Sequence, residues 1–292
     1  AFALPTYQSA WLKTHHPAAF MAGVLTHDPG MYPKRLMLDE VRQMGVGIAP
    51  LDINKSSAHY RVERTLDGDA VRIALSCVAG ISEKEIASIV QGQPYIDLAD
   101  FYRRSGAATP VIENLIMTGA FDSIHTNQRD LLLHFTDLQK SPVSHLPGSQ
   151  LTLGFAPPAL ESSGLQPLNA AEKVSSEVAR LGMDVTQHML TFYAPFLNAI
   201  GAVKSSDLLS QRSDSTVLVA GVKVALQTPP VRSGRRVIFL TLDDGYGCSD
   251  STFFPDAQVD HASTLYSTSL LLVRGETRRT GARGISIRAT AV

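Results

Sequence analysis

The sequence predicts an α+β fold in several domains, helical over roughly its first two thirds and closing on a small barrel of five strands. Three observations predict it. Apolar residues recur at helical spacing in short pieces up to about residue 200, interrupted by glycine turns. A stretch rich in Pro, Ser and Gly, residues 139–170, separates two blocks of that pattern. From Thr216 onward the period changes to the alternation of strands, with turn signals between them.

The elements follow in order. Residues 1–45 read as helices, with Tyr7, Trp11, Leu12, Phe20, Met21 and Leu25 at roughly helical spacing and Pro17 at a boundary. A second helix runs from Pro33 to Met44 and stops at Gly45. Residues 46–56 (VGIAPLDINKS) are turn-rich and strand-like, and Tyr60 to Glu63 alternate as a short strand.

Residues 71–90 (VRIALSCVAGISEKEIASIV) are the most informative stretch. An apolar run is expected to be helical to Val78, to turn through Ala79–Ser82, and to re-enter a helix at Glu83. Gly80 suits a turn that needs positive φ. Ser82 and Glu85 have the spacing of a capping box. This is the pattern of a helix-hairpin-helix, whose turn amides form an anion site fit for a backbone phosphate. The same residues also suit an ordinary αα-corner. Further helices are expected at 98–104, 110–118 and 127–138, the last two joined by TGAFDSIH (118–125). The arrangement repeats, so two hairpins in tandem are expected, able to contact both strands of a duplex. Helical pieces at 170–181 and 192–200 follow the linker.

Strands are expected at 217–226, 236–242, 250–254, 270–275 and 285–289, divided by Pro229-Pro230, Ser233-Gly234, Asp244-Gly245 and Gly281. Five short strands with a glycine inside the first suggest an OB-type barrel, that glycine marking the bend at the barrel corner.

Composition sets bounds on function. Of 292 residues, 44% are apolar and 18% charged, a globular balance. The net charge of −1 gives no global attraction for nucleic acid, so any such affinity must come from local patches. Cys77 and Cys248 fit neither a disulfide framework nor a zinc site, which points to a reducing, cytoplasmic setting. No apolar run approaches the about 20 residues a membrane span needs. The abrupt ends suggest a fragment of something larger.

In this order, residues 7–22 (YQSAWLKTHHPAAFMA), 50–56 (PLDINKS), the hairpin at 71–90 and 117–124 (MTGAFDSI) resemble the bacterial C-family DNA polymerases, the DNA polymerase III alpha-subunit family. Residues 219–244 and 271–281 resemble its error-prone, damage-inducible branch in particular. The resemblance implies a C-terminal portion of a polymerase. Residues 1–65 would end the fingers, 66–138 form the tandem hairpin domain, 139–170 a linker, 171–215 a helical connector and 216–292 the OB domain. It also implies two-metal phosphoryl transfer with Mg²⁺ in the full-length enzyme, on palm aspartates upstream of residue 1. No catalytic or metal-binding residue is therefore expected here. Asp243-Asp244 read as a strand-to-turn signal, and the adjacent His15 and His16 point in different directions on a helix end.

The expected DNA contacts are Gly80, Ile81, Ser82 and Lys84 in the hairpin. In the barrel, Arg232, Arg235 and Arg236 flank the first inter-strand loop, while Arg274, Arg278, Arg279 and Arg283 surround the last, offset only by Glu276. OB barrels stack bases on one face, with Phe239 and Phe253 as candidates. For Phe239 alternation favours the core, since Val237 and Phe239 share one face while Ile238 and Leu240 share the other. In the linker, Gln150, Leu153 and Phe155 (QLTLGF) resemble the short peptide that bacterial polymerases dock into the sliding clamp. Error-prone members of actinobacterial type depart from this by giving clamp contact to an accessory protein. The partners implied are duplex and single-stranded DNA, the clamp and accessory mutagenesis proteins, with no membrane.

Overall fold

A computed structural model describes residues 2–28, 30–140, 159–230, 236–279, 281–282 and 284–292. The chain forms two compact units, one of residues 1–29 with 44–187, the other of residues 30–43 with 188–292.

The first unit opens with α1 (Ala3–His15) and α2 (Pro17–His27), broken apart where Pro17 takes the first position of α2. No residue of α1 is buried, whereas α2 buries Ala18, Met21, Ala22 and Leu25. A three-stranded sheet follows, in the order β1 (Gly47–Ala49), β3 (Gly68–Arg72), β2 (Arg61–Thr65). β1 runs parallel to β3 and β2 antiparallel to it, so the sheet spans the domain boundary expected at residue 65.

Here the structure corrects the sequence reading. Residues 71–78 are not an α-helix: Val71 and Arg72 end β3, and only Leu75–Cys77 wind into a 3-10 turn. The run VRIALSCV fits either period, and pairing decides it. The Ile73 amide donates to the Ala49 carbonyl at 3.0 Å, and the Arg72 guanidinium bonds Glu63 and the Pro50 carbonyl. β-branched Val71 and Ile73 then sit fully buried on the pleated surface.

Helices α4 (Glu83–Gly92), α5 (Leu98–Ser105), α6 (Thr109–Met117) and α7 (Gln128–Lys140) come next, then α8 (Ala170–Leu181). Tyr95, Phe101 and Phe121 pack edge to face, with centroids 4.9 and 5.1 Å apart. Such pairs contribute about 1 kcal/mol each beyond their buried area. They fix α5 against the turn of the second hairpin.

The second unit contains α3 (Lys34–Gln43), a 3-10 turn at Met189–Tyr193, α9 (Ala194–Ala199) and the barrel. Its described strands β4 (Thr216–Gln227), β5 (Ile238–Asp243), β6 (Cys248–Phe253), β7 (Leu270–Arg279) and β8 (Ile285–Ala291) close in the order β4-β5-β6-β8-β7. Between β6 and β7 lie α10 (Pro255–Gln258) and α11 (Ala262–Ser267), which sends Leu265 into the barrel core. Every pairing among these strands is antiparallel except that of β6 with β8, which is parallel. β4 pairs β7 through residues 216–222 and β5 through 222–227, so it switches partners beside Gly221. A Cβ at Gly221 would lie 2.5 Å from the Leu242 Cβ, which is why the corner takes a glycine.

Candidate nucleic-acid interface

The first hairpin is built as its sequence suggested at the turn. Gly80 has φ +78° and is exposed. Ser82 accepts from the Glu85 amide, and the Glu85 carboxylate accepts from the Ser82 amide at 2.8 Å, completing the capping box. Glu85 also takes the Ala108 amide at 2.9 Å, joining α4 to the start of α6. These bonds hold the Glu85 carboxyl below the usual carboxylate range, the Ala108 amide first among them.

The amide accounting narrows the phosphate site. The Ala79 amide donates to the Arg180 carbonyl at 2.8 Å, and the Ile81 amide to the Val78 carbonyl at 3.3 Å. Ser82's amide is held by Glu85. Of the four expected hairpin contacts, Gly80 and Lys84 have amides without a protein acceptor among the described residues. The amides of Glu83 and Lys84 open the helix and have no intrahelical partner. Lys84 is exposed at this end. Gly80, Glu83 and Lys84 therefore offer the open donors, with Glu83 and Glu85 adding negative charge beside them. The second hairpin shares the glycine geometry but not the open amide: Gly119 has φ +76° between α6 and α7, is buried and donates its amide to the Ile116 carbonyl at 3.0 Å, while Asp122 accepts from Lys173 at 2.7 Å and Gln128 at 2.6 Å.

On the barrel the structure reverses the assignment of both phenylalanines. Phe253 is fully buried in the barrel core, whereas Phe239 is 44% exposed. Ile238, Leu240 and Leu242 fill the inward face of β5, so Phe239 must point out. The register sets it in a row: Gln227 opposite Phe239, Phe239 opposite Thr252, Thr252 opposite Arg288, and Arg288 opposite Glu276. Neighbouring strands lie about 4.8 Å apart, so Phe239 and Arg288 are about 10 Å from each other across the face. The Arg288 guanidinium lies 5.7 Å from the centroid of Phe254, itself exposed. Arg288 and Phe254 were not singled out from sequence, though the alternation of ISIRA carried the signal for Arg288.

The arginines separate in role. Arg236 is exposed at the entry to β5. Arg274 and Arg278 are exposed on the outward face of β7 with Glu276 between them. Arg279 is exposed as well, but its guanidinium donates to the Leu209 and Gln211 carbonyls. Arg232, Arg235 and Arg283 lie outside the described residues, as do Gln150, Leu153 and Phe155.

Asp243 and Asp244 turn apart, as a strand-to-turn signal would. Asp244 accepts from the Ser205 amide and hydroxyl at 2.7 and 2.6 Å. Asp243 accepts from the Gly245 amide at 3.0 Å and lies fully buried with Asp39 and His188, a convergence no sequence spacing announced. The three donor atoms lie within 4.8 Å of one another. They do not fit a Mg²⁺ ion that must reach substrate. The site is closed to solvent, and both His188 nitrogens face donors: Nδ1 the Leu190 amide at 3.2 Å and Nε2, the atom nearest the carboxylates, the Arg35 guanidinium at 3.3 Å.

Comparison with known proteins places the whole. A helix-hairpin-helix motif family model matches residues 45–131. An error-prone DNA polymerase of Bdellovibrio bacteriovorus is 31% identical over 97% of this chain and 28% of that protein. One from Corynebacterium diphtheriae is 32% identical over 86% of the chain and 23% of that protein. The DNA polymerase III alpha subunit of Escherichia coli is 29% identical over 94% of the chain and 25% of that subunit. The chain thus spans about a quarter of the length of these relatives. The matching runs through nearly all of this chain's residues, so along its length the chain is similar to a segment of the error-prone DNA polymerases and of the DNA polymerase III alpha subunits.

Proposed function

We propose that this chain is the DNA-holding region of an error-prone DNA polymerase acting in damage-induced translesion synthesis. The hairpins hold duplex DNA, the first of them through its open backbone amides, and the outer face of the barrel holds the single-stranded template. The observation that carries this reading is the outward row of Phe239, Thr252 and Arg288 in a chain that also has two glycine-turned hairpins. A planar ring with a cation two strands away offers a base a stacking surface and its phosphate a counter-charge. Backbone amides at the hairpins carry no sequence information, as a polymerase that copies any template requires.

The whole enzyme would join nucleotides by two-metal phosphoryl transfer on carboxylates upstream of this region. This chain's residues contribute no step of that chemistry. Gln150, Leu153 and Phe155 would dock the sliding clamp, unless an accessory mutagenesis protein takes that contact. Replacing Gln150 and Phe155 by alanine should abolish clamp retention, and unchanged retention would remove the clamp from the list of partners.

A second reading has an observation of its own. Tyr193 and Phe196 are 49% and 57% exposed beside Leu190, Leu197 and Leu270–Leu272, an apolar groove suited to a protein partner in a mutagenic assembly. Titrating fluorescent single-stranded and primed duplex DNA against salt separates the two. Phosphate contacts release counterions, so the DNA-holding reading requires affinity that falls steeply with salt. Millimolar binding with no salt slope would leave the assembly reading. Error-prone as against replicative identity is decided by the measured fidelity of the full-length enzyme.

A further inference from the structure

We propose that Asp39, His188 and Asp243 form a buried proton-binding site, in which one proton shared between the two carboxylates fastens helix α3 to the end of strand β5. Asp39 and Asp243 are fully buried, and His188 nearly so. Each carboxylate has one oxygen engaged and one without a donor. Asp39 Oδ1 pairs with Arg42 and Asp243 Oδ1 takes the Gly245 amide, while Oδ2 of each is orphaned. The two orphaned oxygens converge on His188 Nε2, 3.9 Å from Asp39 and 3.5 Å from Asp243.

Two ionised carboxylates so close, both out of water, repel each other and cannot both stay charged cheaply. Something positive must lie between the orphaned oxygens, and the choice is a metal ion or a proton. The histidine decides. Its Nδ1 faces the Leu190 amide at 3.2 Å and its Nε2 the Arg35 guanidinium at 3.3 Å, both donors, so neither ring nitrogen is left open to a metal. That guanidinium also places a cation where a metal would need an open approach. A proton between the carboxylates satisfies the orphaned atoms without a metal.

The charged and titratable neighbours are few. From α3 come Arg35 and Arg42, and from the loop after β5 comes Asp244, occupied by Ser205 and Tyr246. From β6 come Asp250, which accepts from Thr241, and Cys248, whose thiol is pushed up to about 12 by desolvation and then by the surrounding carboxylates. Desolvation first, then the bond and charge of Asp243, raise the Asp39 carboxyl to about 7. Burial would raise Asp243 as well, but the His188 ring and Asp39 beside it and the Gly245 amide hold it below its ordinary value.

The sign follows. Asp39 is raised in the folded state, so its contribution is full at low pH and is lost as pH rises towards about 7. Asp243 is lowered, so its contribution is present above its ordinary value and lost only in acid. The junction is tightest in mild acid, at the lower end of the window between about 4 and 7, and loosest above neutrality.

Hydrogen exchange of the amides of α3 in the 292-residue chain, corrected for intrinsic rate and followed from pH 5 to 8.5, tests this. Local opening of α3 should increase about tenfold per pH unit up to about 7 and then level, the slope expected for one proton. In Asp39→Asn, a permanent mimic of the protonated acid, the opening should be independent of pH. Flat opening in the wild-type chain would overturn the proposal, as would an unchanged slope in the variant. If Asp39→Asn does not fold, the wild-type series alone decides. Adding Zn²⁺ at pH 7.5 gives a further arm: one-to-one protection of α3, reversed by a chelator, would replace the proton by a metal and overturn the assignment.

Discussion

The hairpin unit and the barrel unit carry their candidate DNA contacts on different kinds of atom. At the first hairpin the donors are backbone amides at Gly80, Glu83 and Lys84, held in place by side chains that point inward or cap. On the barrel the backbone is consumed by the closed ladder, and what faces out is side chain: Phe239, Arg288, Arg274, Arg278. The difference teaches where mutation can act. A hairpin contact is damaged only by bending its turn or uncapping its helix, whereas a barrel contact can be removed one side chain at a time with the fold intact.

The strongest way to break the comparison is to damage one unit alone. A Cβ at Gly275 would lie 2.4 Å from the Arg288 carbonyl oxygen and 2.6 Å from Ile287 Cγ2, at the bulge between β7 and β8. Gly275→Ala should therefore cost about 2–3 kcal/mol of barrel stability by overpacking. Denaturant unfolding should show the barrel transition move first, with single-strand binding lost and duplex binding retained.

Next in size, Phe239→Ala should cost about 1–3 kcal/mol of single-strand affinity with the salt slope unchanged, because stacking is lost and no phosphate contact is. Arg288→Ala should lower that slope by about 1. Fluorescence titration at several salt concentrations measures both, and equal effects on duplex binding would erase the proposed division of labour.

Ser82→Ala removes the cap of α4 and should cost about 1 kcal/mol in a melting experiment. Acid should mimic it. The Glu85 carboxyl is held low by its bonds from Ala108 and Ser82, so its contribution is present above its ordinary value and lost as pH falls through the lowered one. Exchange of the bonded cap amides of Ser82 and Glu85, corrected for intrinsic rate, should therefore rise below pH 4.5 in wild type and change little in Glu85→Gln. The smallest effect is Lys84→Ala, which should weaken duplex binding evenly across sequences and reduce its salt slope by about 1.

Much of this was legible beforehand because the signals are local. Pro17 at a helix start, the Ser82–Glu85 spacing, Gly80 and Gly119 at their turns and the five alternating segments after Thr216 each rest on interactions within a few residues. The misses are the places where a partner distant in sequence decides. VRIALSCV is not an α-helix because β1 and β2 bind its first two residues as the end of β3 and Leu75–Cys77 wind into a 3-10 turn, and the two phenylalanines exchanged roles because barrel closure, not composition, chose the inward face.

The sequence by itself determined the order of helices and strands, the two hairpin turns and the resemblance to a polymerase family. Period, capping and glycine φ are properties of short stretches, and they survive being read one stretch at a time. Only the tertiary structure decided which hairpin amides remain open, that Phe239 and Arg288 share an outer row, and that Asp39, His188 and Asp243 meet in the interior. Those facts depend on register and on burial between segments up to about two hundred residues apart. Which oxygen lacks a donor, or which ring meets solvent, is fixed only when the chain has closed.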